Sequence, residues 1–194
     1  MISNQLLKGR ILERLTDEEF FHFCQDNRTL KFERDAKGLI FITSPTGFNT
    51  GRRNISILEQ LSAWSKKNKL GIAVDSDTGF YLPNGAMRNP DAAWVSHERL
   101  KKVSKEDLEK FPHLCPDFIV ELRSKGYTIK ELREKMSEWI VNGCRLGWLI
   151  DADEEIVYVY RSGKRVATHT NFNKSISGEP ELPGFKLLLS ELRV

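Results

Sequence analysis

Cysteine is scarce: Cys24, Cys115 and Cys144 are the only three in 194 residues, an odd number without CxxC spacing. They fall in segments that read as a helix, a loop and a helix end. Reduced, partly buried side chains are therefore expected, not a disulfide framework or a zinc site. Long apolar runs are also missing. Stretches such as Leu146 to Ile150 and Phe118 to Val120 fall far short of the roughly 20 residues that span a bilayer, so no membrane span is expected. Met1 to Gln5 lacks a basic stretch followed by an apolar one, so no export signal is read and a cytoplasmic location is expected. An excess of one charge is absent too: 30 Lys+Arg against 27 Asp+Glu leave +3, too mild to announce nucleic-acid binding by itself. The four histidines, His22, His97, His113 and His169, show no metal-ligand spacing and read as surface or capping residues. No serine elbow, P-loop or dinucleotide fingerprint occurs, which removes support for hydride transfer and ATP hydrolysis. Without repeats or low-complexity linkers, residues 1–194 read as a single domain.

What is present is an ordinary globular composition, 40% hydrophobic and 29% charged. Thr16-Asp17-Glu18-Glu19 is a capping box that opens a short helix running to Cys24. Gly38 to Thr43 reads as a strand closed by Ser44-Pro45-Thr46-Gly47. From Arg52 to about Lys67, Ile55, Leu58, Leu61, Ser62 and Trp64 follow helical spacing. Gly71 to Val74, Thr78 to Leu82 and Asp91 to Val95 look like hairpin-linked strands separated by turn-rich segments. Ser104 begins a short helix ending before Pro112, and Asp117 to Leu122 returns to a strand. Tyr127 to Asn142 carries the clearest helical stripe, Ile129, Leu132, Met136, Trp139 and Ile140, with Gly143 as its stop. Leu146 to Asp151 reads as a strand buried on both faces. Glu155 to Arg161 and Arg165 to His169 form a hairpin turned at Ser162-Gly163-Lys164. This order implies an α/β fold with a mixed central sheet flanked by helices, most economically a single sheet. The link from Asp117–Leu122 through the long helix to Leu146–Asp151 has the size of a parallel crossover.

Two strands carry an acid in an unusual place. Asp91 follows Pro90 at the mouth of an apolar strand. Glu121 sits inside Phe118-Ile119-Val120-Glu121-Leu122, where a carboxylate is costly unless a cation or donors meet it. If the two strands are neighbours, both carboxylates converge at one end of the sheet, a geometry suited to an oxygen-liking ion such as Mg²⁺. A structural ion pair of Glu121 with Arg123 or Lys125 accounts for the pattern as well. Lys135 leaves the apolar stripe at its edge, one step from Leu132 and Trp139. It is placed either to reach the acids or to lay its stem over the core.

These residues form a familiar series: Asn89-Pro90-Asp91-Ala92-Ala93-Trp94-Val95, then Pro116-Asp117-Phe118-Ile119-Val120-Glu121-Leu122-Arg123-Ser124, then Lys135 ahead of Trp139, then Gly143 to Asp151. The series resembles the Uma2 family of restriction endonucleases in the PD-(D/E)xK nuclease-like superfamily, over roughly residues 16–160. The resemblance implies a restriction-endonuclease-like core with additional N-terminal and C-terminal strands. It also implies Mg²⁺ or Mn²⁺ held by Asp91 and Glu121, and a catalytic Lys135 supplied by the helix and not by the strand. Glu33 corresponds to the acidic residue of the N-terminal strand pair, completing the metal shell or holding Lys135. Two features depart from the family pattern. Thr50 stands where a histidine usually opens the helix, and Arg123-Ser124-Lys125-Gly126 replaces the usual continuation after Glu121.

The function so implied is metal-dependent hydrolysis of DNA phosphodiester bonds. The alternative is a catalytically impaired module of the same fold that binds nucleic acid or a protein partner; a hydrolase of smaller phosphoesters is a third class. Arg52 and Arg53, at a helix start, are the first choice for phosphate contact, with Arg123 beside them. Lys130-Glu131 and Arg133-Glu134 read as a solvated helix face. Tyr158 and Tyr160 alternate on one strand and suit either base stacking or a half-buried strand. Phe48, Trp94 and Tyr127 read as exposed aromatics, compatible with a symmetric homodimer.

Overall fold

The computed structural model describes residues 5–7, 15–124 and 126–193. After β1 (Gln5–Leu7), Thr16 caps α1 (Asp17–Asp26) with the expected reciprocal box: its hydroxyl accepts from the Glu19 amide at 3.2 Å, and the Glu19 carboxylate accepts from the Thr16 amide at 2.8 Å. A hairpin, β2 (Lys31–Arg34) and β3 (Ile40–Thr43), leads into α2 (Phe48–Asn68). This helix starts four residues before the expected Arg52. Its first turn faces a cleft and not the core, Phe48 being 87% exposed, so no apolar spacing marks the beginning.

Next come β4 (Gly71–Asp75), β5 (Phe80–Tyr81), β6 (Met87–Arg88) and β7 (Ala92–Ser96), then the short helices α3 (His97–Leu100) and α4 (Lys105–Leu108). β8 (Phe118–Leu122), α5 (Ile129–Val141) and β9 (Leu146–Asp151) form the crossover unit, with β8 and β9 parallel as expected. α5 stops in a Schellman arrangement: Cys144 N–H bonds Trp139 O at 3.0 Å and Gly143 N–H bonds Ile140 O at 3.1 Å, with Gly143 at φ +108°. The chain ends with β10 (Ile156–Arg161), β11 (Ala167–His169), β12 (Ser175–Ser177), β13 (Lys186–Leu188) and a 3₁₀ turn, Leu189–Leu192.

The central sheet is mixed and six-stranded, in the order β11-β10-β9-β8-β7-β4. Alternation along β8 sends Phe118, Val120 and Leu122 to one face, against α2 and the C-terminal hairpin. Ile119 and Glu121 go to the other face, against α5. The first core is closed by Phe172, Phe185, Leu187 and Leu192 from the C-terminal segment.

The strands do not form one sheet. β1-β3-β2-β6-β5 make a second sheet, and β12-β13 a small third one. The expected run of hairpins is therefore interrupted: β4 pairs with β7, while the β5–β6 hairpin between them turns away to join β2 through Arg34↔Met87. Alternation reports which residues are buried but not which strand is the neighbour. Phe20, Phe32, Ile40, Tyr81 and Met87 bury a separate core under α1, which draws the hairpin across. Of the aromatics, Trp94, read as exposed, is corrected, while Tyr160 fits the half-buried-strand reading. Trp94 is 4% exposed, its indole N–H donating to Ser65 Oγ at 3.1 Å, and Tyr160 is buried against the α5 face. Among the described residues, no helix is long and apolar enough to cross a membrane.

Candidate active site

β7 and β8 are antiparallel neighbours with Ala92 opposite Val120. Carried one residue further, that register sets Asp91 opposite Glu121. Asp91, in the bend after Pro90, accepts from the Leu122 amide at 2.7 Å through Oδ2 and from Asn54 Nδ2 of α2 at 3.2 Å through Oδ1. Glu121 is 4% exposed in a strand buried throughout.

The cation that this buried acid requires comes from α5. Leu132, Met136 and Trp139 turn into the core, and Lys135, three residues after Leu132, projects along the edge of that stripe. Its Nζ lies 2.9 Å from Oε1 and 3.1 Å from Oε2 of Glu121, 2.7 Å from Glu33 Oε1 and 3.3 Å from the Asn89 carbonyl. The amine is thus aimed inward, not laid over the surface. Arg123 instead pairs with Asp151, and Lys125 lies outside the described residues.

Glu33 arrives from the second sheet. Phe32 turns toward α1, so alternation turns Glu33 to the opposite face, toward Lys135. Both of its oxygens are occupied: Oε1 by Lys135 and by the Asn89 amide at 3.1 Å, Oε2 by Arg88 at 3.2 Å. Arg88 continues the chain to Glu138 at 2.6 Å. Of the two roles open to Glu33, this geometry matches holding Lys135.

Several participants were not expected. Trp139, read as core only, donates its indole N–H to Glu121 Oε1 at 3.0 Å. Asn54, Arg88, Asn89 and Glu138 complete the network. Only Asn89 carried any signal, as the residue before Pro90-Asp91. Glu138 sits in a Lys/Glu-rich helix face that looks solvated from sequence.

The electrostatics separate the acids. Burial raises Glu121, and the neighbouring charges of Asp91 and Glu33 raise it further; against the pull of Lys135 it ends at about 7. Burial also raises Asp91, opposed by the Leu122 amide and Lys135. Burial pushes Glu33 up, but Lys135 and Arg88 prevail and hold it below the usual glutamate value. Burial pulls Lys135 down, yet Glu121 and Glu33 outweigh it and keep the amine protonated.

These groups line a cavity of about 320 Å³. It shares Ser44, Pro45, Thr46, Thr50, Ser124 and Tyr127 as lining residues with one of about 490 Å³ that reaches Phe48, Arg53 and Arg123. The three candidate phosphate contacts divide there. Arg52 donates to the Glu191 carbonyl at 3.0 Å and also to that of Arg193. Arg53, 6% exposed, donates to the Leu192 carbonyl at 2.8 Å and pairs with Asp153 at 2.9 Å. Both guanidiniums are thus tied to other groups of this chain, where a free helix start was expected. Arg123 is partly exposed at the mouth of the cleft.

The donor set suits a hard divalent ion. Two buried amide oxygens, Asn54 Oδ1 and Asn89 Oδ1, have no hydrogen-bond partner among the described residues, and both residues line the same cavity as Asp91 and Glu121. Among the described residues, no group of three or more His, Cys, Asp or Glu is placed to share one ion. Carboxylates in small number with other oxygen donors match Mg²⁺ or Mn²⁺, which keep several waters, and not a thiolate or imidazole site.

Comparison with known proteins agrees with this fold. No curated protein matches the chain. Among solved structures, a crystal structure described as "a putative nuclease" from Anabaena variabilis ATCC 29413 superposes with a TM-score of 0.72 at 17% identity, covering 92% of this chain and 97% of that one. At that identity the likeness establishes the fold. A family model described as "Putative restriction endonuclease" matches residues 17–190, nearly the whole sequence, and the chain therefore belongs to the Uma2 family.

Proposed function

We propose that this chain is a metal-dependent endonuclease that hydrolyses phosphodiester bonds of DNA. The observation that carries the reading is Lys135 Nζ, fixed between Glu121 and Glu33 at a cavity wall that also presents Asp91. Family membership and the nuclease fold support it. Asp91 and Glu121 are the residues that would hold Mg²⁺ or Mn²⁺. A divalent ion there supplies the positive charge that lowers the pKa of water and offsets the charge that builds on a phosphoryl oxygen.

The remaining work falls to the chain itself. Lys135, held protonated by two carboxylates, is a fixed positive charge beside the developing negative charge, and is unsuited to accept a proton. Glu33, anchored by Arg88 and the Asn89 amide, keeps that amine in place without taking up a proton. Trp139 and the Leu122 amide orient the two acids. Thr50 lines the cleft where the family has a histidine, so proton transfer from the attacking water falls to solvent. The strand backbone would enter past Arg123 and the Ser44–Gly47 turn.

The test is nicking of supercoiled DNA by the purified protein with Mg²⁺ or Mn²⁺, beside Glu121→Ala prepared identically. Cleavage by the wild type alone is expected. Mn²⁺ uptake without cleavage would assign the chain to the impaired, binding-only reading. Equal activity in both preparations would place the chemistry elsewhere.

A further inference from the structure

Asn54 lies on α2, one turn beyond Thr50 on the same face, and its side-chain amide has one half engaged and one half idle. Nδ2 donates to Asp91 Oδ1 at 3.2 Å. Oδ1 is buried and has no hydrogen-bond partner among the described residues. Exchanging the two ends does not resolve this, because it would set an amide oxygen against a carboxylate oxygen. The contact with Asp91 therefore dictates that the carbonyl end stays unpaired, a costly state for a buried acceptor.

The surroundings show what would pair it. The neighbouring donors are already committed: Lys135 to Glu33 and Glu121, Trp139 to Glu121, the Leu122 amide to Asp91. Among the described residues, the fully buried side-chain atoms of this cavity's lining that lack a hydrogen-bond partner are both acceptors, Asn54 Oδ1 and Asn89 Oδ1, and Asn89 is nine-tenths buried. Buried spare valences that are lone pairs, next to two carboxylates, are complementary to a cation.

We infer that Asn54 is a third protein donor at the divalent-ion site. Its N–H fixes Asp91 while its carbonyl oxygen contributes to the ion's oxygen shell. The inference rests on the nuclease reading for the existence of that site and adds a residue from a helix otherwise outside it. It also predicts a preference for hard ions, since an amide oxygen adds nothing for a soft one.

The test uses the full chain and Mn²⁺ alone, without DNA, by calorimetry and thermal melting. Asn54→Leu, close in volume, should weaken Mn²⁺ binding at least tenfold. Asn54→Asp keeps an oxygen at the cavity, loses the N–H and adds a charge beside Asp91. It should melt lower than wild type without metal, bind Mn²⁺ at least as tightly, and gain a larger melting shift from it. If Asn54→Asp loses Mn²⁺ binding as Asn54→Leu does, Asn54 acts only by holding Asp91 and the inference falls. Unchanged binding in Asn54→Leu, with binding lost in Asp91→Ala, overturns this inference alone. Wild-type protein that takes up no Mn²⁺ overturns both this and the nuclease reading. Should Asn54→Leu fail to fold, Asn54→Asp carries the decision by itself.

Discussion

Lys135 Nζ spans both oxygens of Glu121, at 2.9 and 3.1 Å, joining the helix that follows β8 to the acid buried within β8. The crossover connection thus delivers the counter-charge of the strand it leaves. Each element would be unfavourable alone: a carboxylate inside an apolar strand and an amine turned into the core edge.

Removing the amine tests that dependence. Lys135→Met leaves Glu33 and Glu121 buried without their shared cation and should destabilise the protein by about 3 kcal/mol at pH 8. The penalty should shrink toward pH 5, as the orphaned acids take up protons. Denaturant unfolding at both pH values reads the difference, and the same variant should cut DNA about 100-fold more slowly or worse. An equal loss of stability at both pH values would contradict the pairing.

Glu121 gives stability a definite pH sign. Its folded value, about 7, lies above its ordinary 4.5, so the native state binds the proton more tightly than the unfolded chain. Wild-type stability should therefore fall relative to Glu121→Gln as pH rises from about 4.5 to about 7, and run parallel above that. Because ion and proton compete for the same carboxylate, Mn²⁺ affinity should drop by up to about tenfold per pH unit below 7. Calorimetric titrations at pH 5.5, 6.5 and 7.5 measure it.

Trp139→Phe retains most of the core volume and deletes one N–H. A hydrogen bond to a buried carboxylate is lost, so a cost of about 2 kcal/mol is expected, with Glu121 driven further up. The pH at which Mn²⁺ binding is half-maximal should move upward. A stability loss without that movement would make Trp139 a packing residue only.

Arg53 and Arg123 should differ in DNA binding and not in stability. Arg53→Ala strands the Leu192 carbonyl and frees Asp153, which should lower stability by about 2 kcal/mol and loosen the C-terminal segment, read as faster hydrogen exchange there. Arg123→Ala removes the partner of the buried Asp151 and should likewise cost about 2 kcal/mol, but it should also weaken DNA binding and lower the slope of its salt dependence by about one. DNA affinity lost in Arg53→Ala at unchanged stability would reverse the assignment.

Much of the frame was legible because it is written in near neighbours. The Thr16 capping box, the Leu132–Met136–Trp139 stripe, the stop at Gly143 and the apolar run of β9 each depend on residues within one or two turns of one another. Even the meeting of Asp91 and Glu121 was readable, given adjacent strands, since both are acids stationed beside or within apolar strands. Phe48 to Gly51 was missed as helix because a first turn that faces a cleft carries no burial pattern.

The composition and local spacing of this chain alone determined its α/β class and the parallel crossover and marked the two acids, while Lys135 was assigned to them only by the family resemblance. Tertiary structure alone decided that the β5–β6 hairpin defects to a second sheet, and that Glu33 crosses from that sheet to grip Lys135. It also decided that Arg52 and Arg53 serve the C-terminus, and that Asn54 and Trp139 are partners of the acids. The reason is physical: periodicity encodes which side of an element is buried, whereas the identity of the group found there depends on how separate cores pack together, and residues far apart in the chain leave no mark on each other's neighbours.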